Sequence, residues 1–137
     1  MSNPYKDKSG VHFNLLGITD RQTLRRVEYQ LTQARSVELV TRPIKGDFDL
    51  AHLSAIHRHI FQDVFPWAGQ LRTVNFSKLN ADRPGWTGVF AKTGEFAEKA
   101  KAAHEFSKSK NHLRGLKPSE FVDAMAELFS RWNHLHP

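Results

Sequence analysis

The chain contains no cysteine. That single absence excludes a disulfide framework, a thiolate zinc site and a cysteine nucleophile. No run approaches about 18 apolar residues, so no membrane-spanning helix and no membrane partner are expected. The opening Met1-Ser2-Asn3-Pro4-Tyr5-Lys6-Asp7 has no apolar signal core behind its charges. The cytoplasm is therefore the expected compartment, or export by a route these residues do not display. Phosphate-loop chemistry is missing: neither Gly85-Trp86-Thr87-Gly88 nor Lys92-Thr93-Gly94 fits Gly-x-x-x-x-Gly-Lys-Ser/Thr. A serine nucleophile elbow is missing too, and no Asp or Glu pair sits at acid/base spacing. There is no internal repeat and no long block of like charge.

What is present is ordinary globular composition, 39% hydrophobic and 25% charged over 137 residues. That length predicts a single domain over 1–137, with an irregular arm at 1–19. Lys plus Arg outnumber Asp plus Glu by 20 to 14, giving a net charge of +6. A basic surface favours phosphate ligands and acidic partners. The charges are scattered, however, and the densest run, Lys99 to Lys110, reads as a solvated helix face.

Within the arm, Val11, Phe13, Leu15, Leu16 and Ile18 are apolar enough to dock on the body. Thr19 or Asp20 caps a first helix carrying Leu24, Val27, Leu31 and Ala34 to about Glu38. Asp47 or Asp49 caps a second, with Leu50, Leu53, Ile56, Ile60 and Val64 on one face. Phe65-Pro66 closes it, because a residue before proline disfavours the α region. Residues 66–92 are short, mixed and turn-rich, and the economical reading is an irregular β-hairpin with a strand at about 73–79. A third helix is expected at 93–109, on Phe96, Ala100, Ala103 and Phe106. After a loop at 111–116, Pro118 opens a fourth, with Phe121, Met125, Leu128, Phe129 and Trp132 in a wide apolar stripe. A stripe so wide needs neighbours on several sides. The fourth helix is therefore expected to be central but incompletely covered.

Eight histidines stand out. His52 and His59 could share a face of the second helix, but no carboxylate repeats at ligand spacing beside them. Surface or half-buried packing is the expected role for these two and for His57. His12, His104 and His112 show no partner pattern. Trp67 and Trp86 could stack on single-stranded nucleic acid, but core packing is the more economical use. Nucleic acid is not an expected partner. His136, just beyond the last helix and before Pro137, must adopt extended or turn geometry. A histidine held there can serve as a general base.

The order of pieces carries a resemblance. Asn3-Pro4-Tyr5, then Leu15-Leu16-Gly17-Ile18, then IHRHIFQDVFPWAGQLR from Ile56 to Arg72, resemble the Fic (filamentation induced by cAMP) domain family. The segment FVDAMAELFSRWNHLHP from Phe121 resembles the family helix that delivers the motif H-P-F-x-[DE]-G-N-G-R-x-x-R, of which His136 and Pro137 are the first two letters. The resemblance runs from about Asn3 to Pro137. It implies an all-α, Fic-like helical bundle with a short β-hairpin, the flap, inserted. It implies transfer of AMP from ATP, with Mg²⁺, to a hydroxyl of a target protein, with His136 as the catalytic base. Val74, Asn75, Phe76, Ser77 and Lys78 would belong to the flap that docks the target by strand pairing. Single-domain Fic toxins further imply a small antitoxin carrying an inhibitory helix, since no [S/T]-x-x-x-E-[G/N] is found here. Toxin- or effector-like delivery into a host or recipient cell is the other compartment the resemblance implies.

The departure from the family pattern is large. The motif's acidic residue, its glycines and both its arginines are absent from these 137 residues. The expectation is a fragment of a longer active protein, itself inactive. The alternatives are a degenerate, non-enzymatic Fic scaffold that binds protein or nucleic acid, and a related transferase that moves phosphate or phosphocholine.

Overall fold

The computed structural model describes residues 3–75, 77–79 and 87–137. In chain order these hold α1 (Arg21–Thr41), α2 (Leu50–Phe61), strands β1 (Ser77–Leu79) and β2 (Thr87–Val89), α3 (Phe96–Ser109) and α4 (Pro118–Leu135). Short 3-10 turns stand at Thr93–Glu95 and Asn111–Leu113. The class is therefore helical, as expected. Among the described residues no helix is long and apolar enough to cross a membrane. The chain divides into two units, Met1–Asp47 with Ala51–Gln70, and Phe48–Leu50 with Leu71–Pro137.

In the first unit Asp20 caps α1: its Oδ2 accepts from the Thr23 amide at 2.7 Å. The helix outruns the expected Glu38 to Thr41, and near this end Val37 and Val40 are exposed. The core is Val11, Leu24, Val64 and Phe65, with Ile18, Leu31, Phe61 and Trp67 packed on it. Only part of the arm docks as expected. Val11 is buried, whereas Phe13, Leu15 and Leu16 are exposed, because Leu15 is held by its amide to the Val64 carbonyl at 2.8 Å. Trp67 stacks on Phe65 at 5.0 Å and meets Tyr5 edge-on, which is core packing.

α2 ends earlier than the apolar spacing predicts. The Val64 and Phe65 amides both donate to the Phe61 carbonyl at 3.0 Å, so the chain has left the helix while Val64 stays fully buried. The histidines of α2 take hydrogen-bonding places. His52 Nε2 lies 2.8 Å from the Ile44 carbonyl, His59 Nε2 lies 3.0 Å from Glu38, and His57 Nδ1 accepts from the Gly69 amide at 2.9 Å. Gly69 has φ +78°, and a Cβ there would come within 2.5 Å of Arg58 Cβ and 2.9 Å of the Ser54 carbonyl. Gly69→Ala should therefore cost about 1–3 kcal/mol. Urea denaturation checks this, and an unchanged midpoint would contradict the close packing.

Arg35 joins α1 to the residues after α2. Its Nε and Nη2 bind the Asp63 carboxylate at 2.7 and 3.0 Å, and its Nη1 reaches Glu38 at 3.1 Å. The Arg35 hydrogen bonds hold the Asp63 carboxyl below its ordinary range. A carboxylate lowered on folding contributes stability above its unfolded value, about pH 4, and loses it as pH falls through the folded value. The two side chains are 30% and 35% exposed, so solvent screening keeps the effect modest. Melting temperatures of the parent and Asp63→Asn should converge as pH drops below about 4. Parallel curves would remove the pair from the acid response.

In the second unit α3 and α4 pack through small residues. Phe96, Ala100, Ala103 and Ser107 are buried on α3, and Ala124 and Leu135 on α4. Ala91, Phe96, Ala100 and Leu135 form the core, with Leu50 and Trp132 against it. The outer face of α4 is open, as its wide stripe foretold: Phe121, Met125 and Phe129 are 40%, 42% and 67% exposed. The expected helix at 93–109 begins as a 3-10 turn, with Glu95 accepting from the Lys92 amide at 2.9 Å. The expected loop after α3 holds three left-handed residues, Asn111, His112 and Leu113, with His112 Nδ1 2.9 Å from Ser107 Oγ.

β1 and β2 pair antiparallel, with Ser77, Lys78 and Leu79 opposite Val89, Gly88 and Thr87. Of the strand expected at 73–79, Ser77–Leu79 form β1, and residues 73–75 are not in a strand. Residues 72–75 are tied elsewhere: Arg72 Nη1 donates to the Val74 carbonyl at 2.8 Å, and the Thr93 amide donates to Asn75 Oδ1 at 2.8 Å. Phe76 and the turn residues 80–86, Trp86 among them, lie outside the described residues.

Candidate functional site

α4 begins in register because Pro118 occupies its first turn and Glu120 accepts from the Lys117 amide at 3.1 Å. It ends at His136, which caps the helix in the left-handed region, φ 40° and ψ 60°. That differs in detail from the extended or turn geometry expected before a proline. The reason is the cap itself: the His136 amide donates to the Trp132 carbonyl at 3.0 Å. Histidine is among the few non-glycine residues that tolerate this region.

Helix ends leave carbonyls without partners. Here they are met. The Ala91 amide donates to the His134 carbonyl at 2.9 Å. Arg72, only 8% exposed, donates through Nε to the His136 carbonyl at 2.7 Å and through Nη2 to that of Leu135 at 3.3 Å. The same Nη2 reaches the Ala91 carbonyl, and the guanidinium lies 4.7 Å from the centre of the Phe96 ring. The His136 side chain itself is exposed, with its ring stacked on Phe90 at 4.5 Å and 24° between planes. Beside it, His134 Nε2 is 3.3 Å from Lys99, which reaches Glu95 at 3.6 Å.

This arrangement presents an imidazole to solvent on a hydrogen-bonded helix end, with one face covered by an aromatic ring. Its nitrogens can take a proton from a hydroxyl brought to the open side. Pro137 follows directly and continues the chain without an amide hydrogen. Of the residues expected to form the target-docking segment, Val74 and Asn75 spend their acceptors inside the unit, and Ser77 and Lys78 lie in β1. Among the described residues no three His, Asp or Glu side chains converge as a metal site. The described residues therefore do not supply a Mg²⁺ ligand set.

No family model matches the chain. Individual relatives do. The chain is 37% identical over 137 residues to protein adenylyltransferase VbhT of Bartonella schoenbuchensis, covering 99% of itself and 27% of that protein. It is 32% identical over 125 residues to the probable protein adenylyltransferase Fic of Escherichia coli strain K12, covering 90% of itself and 58% of that protein. Its fold superposes on the crystal structure of BepC, a VirB-translocated Bartonella effector protein, with bound AMPPNP, from Bartonella tribocorum. There the TM-score is 0.84 at 29% identity, over 97% of this chain and 68% of that one. This chain belongs to the Fic domain family. It spans about a quarter of the first of these curated relatives and under three-fifths of the second.

Within this Fic domain, residues 134–137 are where sequence and geometry meet. His136 was legible from its place after a helix and before a proline. Arg72, Phe90 and Ala91, which hold it, were not. Arg72 closes the stretch WAGQLR, but arginine is ordinarily an exposed residue type, and nothing in the spacing marks it as buried.

Proposed function

We propose that this Fic domain supplies the general base of a protein adenylyltransferase, and that it is part of a longer protein containing the rest of the motif. The observation that carries this reading is the exposed imidazole of His136, fixed at the end of α4 and followed by Pro137. It is supported by relatives named protein adenylyltransferase and by the AMPPNP bound to the similar BepC structure. In the reaction the target hydroxyl gives its proton to His136 and its oxygen bonds to the α-phosphorus of ATP. The bond from that phosphorus to the departing pyrophosphate breaks. In the family pattern the motif residues after Pro137 would hold ATP and Mg²⁺, the glycine amides and arginines serving the phosphates and the acidic residue the metal.

The proposed partners are a target protein, docked along β1 within the 74–78 segment, and a small antitoxin that carries the inhibitory helix. The support for docking is that β1 has one strand partner, β2, among the described residues. Delivery into a recipient cell fits the description of BepC as a translocated effector.

The test is mass spectrometry of target protein after incubation with ATP and the longer protein. One adenylate on a serine, threonine or tyrosine hydroxyl is expected. The 137-residue chain alone should add none, because losing even one oxyanion donor costs about 10²- to 10³-fold and the whole cradle lies outside it. Adenylation by the short chain, or none by the longer one, would overturn the reading.

A further inference from the structure

We propose that Arg72 is a positioning residue for His136, and that it fixes the distance between the imidazole and the start of the β1 segment. The inference rests on His136 being the base. Arg72 is nearly buried, and its guanidinium joins three stretches of backbone that are far apart in sequence. Nε binds the His136 carbonyl, Nη1 the Val74 carbonyl, and Nη2 the carbonyls of Ala91 and Leu135. Phe96 covers the guanidinium plane at 4.7 Å.

The geometry explains why arginine stands here. A planar fork presents donors in several fixed directions and stays charged at every relevant pH, whereas an ammonium is a compact point charge. A cation at the carboxyl end of α4 also complements the helix dipole. The left-handed conformation of His136 is one that a residue keeps only when its surroundings over-determine it. Here the surroundings are two hydrogen bonds on either side of the residue: its amide to Trp132 and its carbonyl to Arg72. The carbonyl carbon and Cβ turn together about the N–Cα bond, so a held carbonyl also holds the φ that carries the ring. Removing the Arg72 bond frees that rotation, and with it the stack on Phe90. Because the same side chain holds Val74, the docking segment and the base move as one body. An error of about 1 Å in such a placement can cost about 10²-fold in rate.

The experiment is NMR of the 137-residue chain, joined to kinetics of the longer protein. In the unaltered chain the Arg72 Nε proton should resist exchange and show a nuclear Overhauser contact to the His136 backbone. The His136 ring protons should carry the upfield ring-current shift of Phe90. Arg72→Lys should keep the helical signal but lose both the ring shift and the fixed backbone coupling of His136. In the longer protein it should lower kcat by about 10- to 100-fold with KM for ATP unchanged. Methylguanidinium added to Arg72→Ala should restore part of the ring shift. A freely exchanging Arg72 Nε proton in the unaltered chain would overturn the proposal even if no variant folds. So would Arg72→Lys with an unmoved His136 ring and full kcat. An unaltered longer protein that transfers no AMP would instead sink the adenylyltransferase reading, and the ring shifts would still decide the role of Arg72.

Discussion

If His136 is the base of the longer protein, His136→Ala there should lower AMP transfer by about 10²- to 10⁴-fold, the range a positioned general base contributes. The fold should survive the change. The ring is exposed and its packing is one face against Phe90, while the cap that ends α4 is made by the residue's amide and carbonyl. Alanine tolerates the left-handed region less well than histidine, so His136→Asn is the companion variant, since asparagine accepts that backbone and cannot serve as the base. Both variants should keep the melting temperature within a few degrees and lose the rate together. Asparagine at full rate would place the base elsewhere. A collapse of the fold in both would make His136 a structural cap.

Leu135→Ala, one residue earlier, should do the opposite. Leu135 has no exposed surface and packs with Ala91, Phe96 and Ala100. Its neighbours include two alanines, which cannot extend into the space left behind. Truncation should cost about 2–5 kcal/mol, a large share of the 5–15 kcal/mol that such a domain possesses. Phe129→Ala on the open face of the same helix should cost less than about 0.5 kcal/mol, because that side chain is 67% exposed. Urea denaturation of the two variants side by side measures the contrast. Equal losses would mean that the face carrying Phe129 is covered in solution.

That contrast shows how much of the fold could be read from residue order. Periodicity placed α4 and gave its stripe, and proline at 118 set its start. It did not say which part of the stripe is buried: Leu135 and Ala124, outside the expected stripe, are buried, whereas Phe129 is not. The second helix was overextended for a related reason. Val64 continues the apolar spacing of α2, but it is buried from a turn, and spacing alone does not distinguish the two. Residues 73–75 are not in the expected strand, because Arg72 and Asn75 bind to distant backbone, and such long-range bonds leave no local signature. His136 and Pro137, at the tip of the candidate site, could be singled out in the sequence because they match the start of a family motif. The residues around them could not be, because in the sequence a buried arginine looks like any surface arginine.

The central claim is that this Fic domain delivers a base for transfer of the α-phosphoryl group. It is tested most directly by the fate of label from ATP. The longer protein, unaltered and as His136→Ala, is incubated with target and with ATP labelled on either the α- or the γ-phosphate. Label from the α-phosphate alone should enter the target, and only with histidine at 136. Label from the γ-phosphate in the target, or α-label undiminished in the alanine variant, would contradict it.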